Sequence, residues 1–364
     1  MSMTTKAKLI LKDDTVFEGI SFGAPKSQSG EVVFATGMVG YEQSLTDPSY
    51  TGQILTFTYP LIGNWGVPEK EYWESEKIQV QGVIISDLVT SPNHHLMQKT
   101  LDTWLKEEKI PGIFGVDTRK LTQKLRERGV MLGKIVVDNK DIDFWDPNSE
   151  NLVARVSVDK VKIHHPANST LSTHHSSIKI GLLNCGTKRN ILRNLLIRGL
   201  TVYELPWNFD PFQNNLPING LIISNGPGDP KMAKGSIEII KKALNKKIPT
   251  FGICLGNQLL ALAAGGDTYK LKFGHRAQNQ PTLEVGTKRC YITTQNHGFA
   301  VDENKLPKGF RRWFYNANDN TNEGLIHQKL PFFSVQFHPE ATPGPFDTTW
   351  LFDHFLNEVK KRAV

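Results

Sequence analysis

The sequence has few cysteines, no long apolar run and no block of charge of one sign. Its 364 residues include three cysteines, Cys185, Cys254 and Cys290, which are too few for a disulfide framework and fit a reducing compartment. No apolar stretch approaches the roughly 18 residues of a membrane span. Asp13 and Asp14 stand where a signal peptide would continue its apolar region. We therefore expect a cytoplasmic protein that does not bind membranes.

The positive charge is too dispersed to indicate a nucleic-acid-binding protein. Lys and Arg exceed Asp and Glu by 43 to 36, a net charge of +7, but the densest basic segment, residues 117–128, is typical of the solvated face of a helix. The Gly-rich loop closed by Lys and Ser or Thr, which binds nucleotide phosphates, is also absent. The sequence therefore predicts no nucleic-acid partner, no ATP chemistry and no cofactor in this chain.

The pattern of apolar residues changes near the middle of the chain. Residues 1–158 are rich in β-branched and aromatic stretches broken by Gly and Pro, which predicts short strands, with one helix running from a cap at Asp117 to Gly129. Residues 159–177 have no apolar period and are rich in Ser, Thr and His, which predicts a linker. We therefore expect a smaller, β-rich α+β domain over residues 1–158, ahead of a second domain.

Residues 178–364 alternate predicted strands with predicted helices. Strand patterns such as KIGLLNC, GLIISN and IPTFGIC are each followed by a segment of helical length. This alternation predicts an α/β domain with a mostly parallel sheet flanked by helices, because parallel strands need crossover connections. In such sheets functional groups collect at the C-terminal ends of the strands.

The strongest local motif is Gly-Ile-Cys-Leu-Gly around Cys254, between a predicted strand and a predicted helix. Glycines on both sides of the cysteine allow a sharp turn that exposes the sulfur beside the N-terminus of the helix. The unpaired N–H groups and the dipole there favour the reactive thiolate. Outside such a motif a structural cysteine is the simpler interpretation, and we apply it to Cys185 and Cys290.

A candidate base and its orienting group follow downstream. His338 ends an apolar strand, and Glu340 comes two residues later, behind a stiff proline; a thiolate nucleophile needs such a pair. Alone, His-Pro-Glu is commonly a surface loop, so the hypothesis depends on its place after the cysteine motif. His297 is the next candidate. The adjacent histidine pairs at 94–95, 164–165 and 174–175 have no zinc-site spacing, and we predict no metal.

A Gly-Pro-Gly turn from Gly226 to Gly228 directly follows the predicted strand GLIIS. Its exposed N–H groups could form an oxyanion hole with the amide of Leu255. A phosphate-binding loop is the rival interpretation, which the missing Lys-Ser/Thr disfavours.

In this order the three elements resemble the class I (triad) glutamine amidotransferases. The segments NGPGDP, GICLGNQLLALAAG, QNHGFAVD and FHPEATPGPFDTTWLFDHF are similar to the carbamoyl phosphate synthetase small chain in particular. The first half agrees, since GEVVFATGMVGYEQSLTDPSYTGQILTFTYPLIGNWGV and IFGVDTRKLTQKLRERG resemble that family's N-terminal domain, which other amidotransferases of the class lack. The resemblance covers nearly the whole chain, and the linker matches least.

The resemblance implies a glutaminase with Cys254 as nucleophile, His338 as acid/base and Glu340 as its orienting partner. It implies that both domains contribute to L-glutamine binding, through Ser49, Gly226, Gly228, Leu255, Gln258, Asn296, Gly298 and Phe299. The released ammonia is implied to pass to a large synthetase subunit in a heterodimer. That subunit uses bicarbonate, ATP and Mg to form carbamoyl phosphate for arginine and pyrimidine biosynthesis.

Two positions depart from the family's pattern. Asn257 stands where many members have histidine and others asparagine, so we expect no loss of activity. Ala277 and Gln278 stand where the family usually has Gly and then Gly or His, which leaves the local structure open there. Three other functions also remain open: a free-standing glutaminase, a non-catalytic subunit with a relic triad, and an amidotransferase for another product such as anthranilate or GMP.

Overall fold

The computed structural model describes residues 5–166 and 178–362, which form two compact units, Met1–Leu152 and Val153–Val364. The division falls earlier than the predicted boundary at residue 158. Part of the predicted linker is a strand, β10 (Lys162–His164), which pairs with Thr201–Pro206. Backbone pairing to an edge strand needs no apolar period, so the sequence pattern did not reveal it. The rest of the predicted linker, residues 167–177, lies outside the described residues.

A closed β-barrel forms the first unit, within residues 5–166. Its strands pair in the order β1-β2-β8-β6-β4-β3-β9. Along β1 the side chains of Ala7, Leu9 and Leu11 are buried while the residues between them are less so, because successive side chains of a strand point to opposite faces. The bounds of the strands in this unit are β1 (Lys6–Leu11), β2 (Val16–Gly23), β3 (Gln28–Ala35), β4 (Gln53–Phe57), β5 (Leu61–Ile62), β6 (Gly82–Ile84), β7 (Asp87–Leu88), β8 (Pro111–Phe114) and β9 (Met131–Val137).

Helices α1 (Tyr41–Thr46), α2 (Leu101–Glu107) and α3 (Thr118–Arg128) complete the first unit. The prediction for α3 is confirmed, because Asp117 accepts a hydrogen bond from the N–H of Lys120 at 2.9 Å and Gly129 follows the last turn with a φ of 96°. The β-rich α+β character predicted for this part of the chain is confirmed as well. Its closure into a barrel was not predicted, since pairing of distant strands leaves no mark on local periodicity.

One ten-stranded sheet dominates the second unit, in the order β10-β12-β11-β13-β14-β19-β18-β17-β15-β16 among the described residues. The strands after β10 are β11 (Lys179–Asn184), β12 (Thr201–Pro206), β13 (Gly220–Ile223), β14 (Thr250–Ile253), β15 (Thr268–Glu284), β16 (Cys290–Val301), β17 (Phe310–Asn316), β18 (Asn322–His327) and β19 (Phe332–Val335). The helices are α4 (Leu152–Val156), which crosses the division between the units, α5 (Arg189–Leu196), α6 (Lys234–Asn245), α7 (Leu255–Ala263) and α8 (Trp350–Lys360).

The five adjacent strands β12, β11, β13, β14 and β19 run parallel, as the alternation predicts. Side chains from their two faces enter separate cores. Leu182 packs in a core with α5 and α8, while Leu183, its neighbour in sequence, packs in another with α6 and α7. The strands of this half end at one edge, where Cys254 and His338 follow β14 and β19.

The other half of the sheet corrects the expectation of a mostly parallel sheet. Strands β18, β17, β15 and β16 pair antiparallel, and so does β10 at the opposite end, so the sheet as a whole is mixed. Short turns at residues 285–289 and 317–321 join β15 to β16 and β17 to β18. Connections of this length permit only antiparallel pairing. None of the helices in the described residues is long and apolar enough to cross a bilayer.

Candidate active site

Cys254 lies at the turn between β14 and α7, with φ 55° and ψ −104°. A positive φ is rare for a residue with a side chain, and such strain is retained where the surrounding structure enforces it. Two backbone hydrogen bonds do so here. The N–H of Cys254 donates to the carbonyl of Val335 at 2.8 Å, and its own carbonyl accepts from the N–H of Asn257 at 3.0 Å. The predicted strand-to-helix turn is therefore present.

The glycines of the motif are required by close backbone approach. A Cβ atom on Gly252 would lie 2.4 Å from the carbonyl oxygen of Gly256, and one on Gly256 would lie 2.3 Å from the carbonyl oxygen of Ile223. Real Cβ atoms do not come that near to backbone oxygens, so a side chain at Gly252 would push α7 away from β14, and one at Gly256 would push α7 away from β13. The spacing seen in the sequence thus has a steric cause.

The Gly-Pro-Gly turn lies beside the first residue of α7, as an oxyanion hole requires. A Cβ on Gly226 would be 2.0 Å from the carbonyl oxygen of Cys185 and 2.8 Å from Cδ2 of Leu255. Gly228 has a φ of 81°, a conformation that favours glycine. The first N–H groups of α7 have no partner inside the helix, and the turn adds backbone donors next to them.

His338 and Glu340 form a buried pair. Nδ1 of His338 lies 2.6 Å from Oε1 of Glu340, and the two side chains are 1% and 0% exposed. Burial opposes charge on the imidazole, but the Glu340 carboxylate and the sulfur of Cys254 outweigh it and raise the pKa of His338 to about 10. Burial likewise opposes charge on the carboxyl, but the charges of Lys188 and His338 lower the pKa of Glu340 to about 2. At neutral pH the pair is an imidazolium and a carboxylate.

The sulfur of Cys254 faces the same small space. It lies 3.6 Å from the carbonyl oxygen of Asn296 and 3.7 Å from Nε2 of Gln336. Nε2 of His338 is buried and makes no hydrogen bond of regular geometry, yet the sulfur acts on this ring strongly enough to raise its pKa. Catalytic hydrogen bonds are often long before substrate binds. The cysteine, the histidine and the glutamate therefore belong to one site.

Lys188 and Gln336 belong to this site and were missed by sequence reasoning. Nζ of Lys188 lies 3.1 Å from Oε1 of Glu340 and donates to the carbonyl of Ala341 at 2.8 Å, with the lysine side chain 3% exposed. Lys188 follows the C-terminal end of β11, the sheet edge where sites collect, which was the available signal. A lysine after a strand is usually solvated, so its burial could not be foreseen.

The predicted glutamine-binding residues of the second unit lie on the elements around Cys254. Nε2 of Gln258 donates to the carbonyl of Phe299 at 2.9 Å and to Oε1 of Gln336 at 3.1 Å. Asn296, Gly298 and Phe299 lie on either side of His297 in β16, and the Asn296 carbonyl faces the sulfur. The structure groups these residues; their role in binding stays a prediction.

Ser49 belongs to the first unit. It is buried in a single 3₁₀ turn, Pro48–Tyr50, and its N–H donates to Oδ1 of Asp47 at 2.9 Å. Its part in glutamine binding remains an expectation from the family resemblance.

The two departures from the family pattern are accommodated. Asn257 is fully buried, donates to Oε1 of Gln336 at 3.2 Å and accepts from Ser334 at 2.8 Å. Ala277 is buried in β15 opposite Gln295, and a register shift follows it. His297 was the alternative base, but burial and the charge of His275 hold its pKa well below its usual range. Nδ1 of His297 also bonds to the Phe299 carbonyl at 2.8 Å, so His338 is the stronger candidate.

Comparison with known protein families matches both halves of the chain. The model described as carbamoyl-phosphate synthase small chain, CPSase domain, matches residues 9–135. The model described as glutamine amidotransferase class-I matches residues 181–358. The first match lies within the barrel unit, and the second includes Cys254, His338 and Glu340.

Curated relatives align along nearly the whole chain. The human protein named carbamoyl-phosphate synthase (ammonia), mitochondrial, is 46% identical over 366 residues, which is 98% of this chain and 24% of the relative. The multifunctional protein CAD of Squalus acanthias is 47% identical over 363 residues, 96% of this chain and 16% of the relative. The multifunctional protein URA2 of Saccharomyces cerevisiae is 45% identical over 391 residues, 97% of this chain and 17% of the relative. The chain thus spans about a quarter or less of the length of these relatives.

Proposed function

The chain belongs to the carbamoyl-phosphate synthase small-chain family and carries a class-I glutamine amidotransferase domain, and on that premise we propose that it hydrolyses L-glutamine to glutamate and ammonia. The observation that carries the proposal is the buried His338–Glu340 pair beside a cysteine held at a strained strand-to-helix turn. An imidazolium beside a thiol stabilises the thiolate, which is the nucleophile that amide hydrolysis needs.

The first half-reaction forms a thioester. The Cys254 thiolate attacks the side-chain amide carbon of glutamine, and the oxyanion is stabilised by the N–H of Leu255 and the turn from Gly226 to Gly228. Preorganised donors of this kind contribute about 3–4 kcal/mol each to lowering the barrier. The C–N bond then breaks as His338 gives its proton to the departing nitrogen. Ammonia leaves, and the glutamyl group stays bound to the sulfur.

The second half-reaction returns the enzyme to its starting state. His338, now neutral, takes a proton from water as the water oxygen attacks the thioester carbonyl. The C–S bond breaks, glutamate is released, and the thiolate and imidazolium are restored. Glu340 keeps the ring oriented through Nδ1 in both steps, because its carboxylate remains ionised at neutral pH.

We propose further that the ammonia passes to a large synthetase subunit. Free ammonia in water is protonated and loses its nucleophilicity, so transfer through a passage is expected. The relatives named above are much longer than this chain, which supports a partner that supplies the remaining chemistry. That partner would bind ATP and Mg, use bicarbonate and form carbamoyl phosphate for arginine and pyrimidine biosynthesis, with this chain as the small subunit of a heterodimer.

Substitution of the nucleophile tests the proposal. In the complex with the large subunit, Cys254→Ser should abolish glutamine-dependent carbamoyl phosphate formation and leave the ammonia-dependent rate unchanged. The control is Cys290→Ser, at an exposed cysteine, which should preserve both rates. Loss of both rates in Cys254→Ser would contradict the proposal that this chain releases ammonia and the large subunit consumes it. Glutamine hydrolysis with no binding to a large subunit would favour a free-standing glutaminase.

Active-site labelling separates a working triad from a relic. A glutamine-like chloroketone should label Cys254 and inactivate the protein, and glutamine should protect against it. Cys185 provides an internal comparison, because burial raises the pKa of its thiol to about 12, which leaves it protonated and unreactive. Absence of labelling at Cys254 would identify the protein as a non-catalytic subunit.

We also propose that the protein is cytoplasmic. All three cysteines are free thiols, which fits a reducing compartment. The human relative is named as mitochondrial, so cell fractionation of the full-length protein should decide. Recovery with the soluble cytosolic fraction is expected, and recovery with an organelle would contradict the proposal.

A further inference from the structure

Three buried side chains from three strands converge beside β16, the strand whose Asn296 carbonyl faces Cys254. They are His275 of β15, His297 of β16 and Glu323 of β18, and all three are 7% exposed or less. Nδ1 of His275 lies 3.3 Å from Nε2 of His297. Oε1 of Glu323 lies 3.5 Å from the first nitrogen and 3.8 Å from the second. The glutaminase mechanism uses none of these groups.

Outer hydrogen bonds turn both histidine lone pairs toward the centre of this cluster. Nε2 of His275 lies 2.8 Å from a carboxylate oxygen of Asp319, and Nδ1 of His297 lies 2.8 Å from the carbonyl oxygen of Phe299. Both of these oxygens only accept, so the outer nitrogens carry the protons. The inner nitrogens, Nδ1 of His275 and Nε2 of His297, lie 3.3 Å apart in a hydrogen bond, so release of the one proton between them leaves a lone pair on each nitrogen that faces the centre of the cluster. A carboxylate or carbonyl on the outer nitrogen is the usual arrangement of metal-binding histidines.

The carboxylate of Glu323 is an observation independent of the two histidines. Its side chain is 0% exposed, and neither carboxylate oxygen makes a hydrogen bond of regular geometry. A buried carboxylate without such bonds is costly. A positive ion at the centre of the cluster would remove this cost.

The size of the gap suits a small divalent ion. The two imidazole nitrogens and the Glu323 oxygen lie 3.3, 3.5 and 3.8 Å from one another. A point equidistant from these three atoms is about 2 Å from each, which is the length of Zn–N and Zn–O bonds. Oε1 of Gln295, which lies 3.2 Å from Nε2 of His297, offers a fourth oxygen. Two imidazoles with oxygen ligands suit zinc and its neighbours better than calcium or magnesium, which prefer oxygen alone.

We propose that His275, His297 and Glu323 form a structural site for a divalent transition-metal ion of the zinc class, which fixes the strand that faces the nucleophile. The link to the active site is direct. Asn296, adjacent to His297, presents its carbonyl to the Cys254 sulfur. The carbonyl of Glu323 accepts from the N–H of Gln336 at 2.9 Å, and the Gln336 side chain contacts the same sulfur.

The competing occupant of the gap is a proton shared between the two inner nitrogens. In that case His275 is an imidazolium, with its pKa raised to about 9 by Asp319 and Glu323 against the effect of burial. The guanidinium of Arg276 also acts on His297 and opposes a further positive charge. The carboxylates of Glu323 and Asp319 offset it. Metal binding would displace the shared proton, and the two occupants give different measurements.

Metal content and cobalt substitution test the site. The full chain with Cys254→Ser, which removes the thiol as a competing ligand, is purified without chelator, assayed for metals, stripped and titrated with Co²⁺. We expect about one metal ion per chain, the visible absorption of four-coordinate cobalt, and a higher midpoint of thermal unfolding with Zn²⁺ than without. Absence of stoichiometric metal and of the cobalt spectrum would overturn the proposal in favour of the shared proton.

Two variants in the same background assign the ligands. Glu323→Gln keeps the shape of the side chain and should lower cobalt affinity more than about tenfold. Asp319→Asn, which changes the outer partner of His275 and leaves the three proposed ligands in place, should lower it by about 10–100-fold without a change of coordination. The control replaces the exposed adjacent histidines, His94→Gln with His95→Gln, and should bind cobalt as the background does. Unchanged affinity in both test variants, or loss of metal in the control, would refute the assignment.

Discussion

Nζ of Lys188 lies 3.1 Å from Oε1 of Glu340, the carboxylate oxygen that also lies 2.6 Å from Nδ1 of His338. One buried oxygen thus joins a lysine at the end of β11 to the histidine after β19. The lysine keeps the carboxylate ionised, and the carboxylate keeps the imidazole charged and oriented. Lys188 is therefore a positioning residue that acts on Cys254 through two others.

Lys188→Met should reduce both stability and glutamine hydrolysis. The change leaves the Glu340 charge buried without its cation, and breaking a buried ion pair in this way costs about 3–5 kcal/mol. The pKa of Glu340 should rise, and the pH profile of kcat/KM should shift because His338 loses part of its charge partner. Urea unfolding and a pH–rate profile measure the two effects.

The matched control is Lys242→Met, whose Nζ lies 2.6 Å from Asp210 in a pair that is 43% exposed on the lysine side. Surface pairs contribute about 0–1 kcal/mol, and this one lies outside the site. A pH profile of Lys188→Met identical to that of the wild type would show that the lysine has only a structural role.

Acid should remove stability that Glu340 contributes. Its pKa is lowered in the folded protein from 4.5 to about 2, so the contribution is fully present above pH 4.5 and is lost as the pH falls toward 2. The full effect is on the order of 3 kcal/mol. The difference in unfolding free energy between the wild type and Glu340→Gln should shrink from pH 5.5 to pH 3. A difference that does not change with pH would refute the ionised carboxylate.

Gly226→Ala should impair catalysis, because a Cβ there would lie 2.0 Å from the carbonyl oxygen of Cys185 and displace the Gly-Pro-Gly turn. Misplacement of a catalytic donor by about 1 Å costs about 100-fold in rate. Gly265→Ala is the control, since it has a φ of 96° and nothing within 4 Å of the added atom. It should cost only about 1–2 kcal/mol of stability and leave kcat/KM unchanged. Equal kinetics for the two variants would exclude the turn from the oxyanion hole.

Ser49→Ala tests the role that the family resemblance implies for the first unit. If Ser49 binds glutamine, loss of its hydroxyl should raise the KM for glutamine and leave the ammonia-dependent rate of the complex intact, since a hydrogen bond contributes about 0.5–1.5 kcal/mol. Ser27→Ala, which removes a half-buried hydroxyl of the same unit that donates to the carbonyl of Lys140 and accepts from the N–H of Val137, is the control. A KM equal to that of the wild type would remove Ser49 from the site.

The sequence by itself determined the features that depend on local chain chemistry. The cap at Asp117 defined α3, the glycines around Cys254 defined the turn that carries the nucleophile, and the alternation of strands and helices defined the parallel half of the sheet. These follow from steric and hydrogen-bonding rules that act over a few residues. The motifs also sufficed to nominate His338 and Glu340 before any distance was known.

Only the tertiary structure decided which distant residues meet. Barrel closure, the antiparallel half of the sheet, the burial of Lys188 beside Glu340 and the cluster of His275, His297 and Glu323 all depend on strand pairing between remote segments. The free energy of such contacts comes from burial and from charges brought together across the fold. The spacing of apolar residues at two or 3.6 positions does not indicate these contacts. The sequence motifs identified Cys254, His338 and Glu340 as the candidate reacting groups. The fold determined their neighbours and therefore their charges.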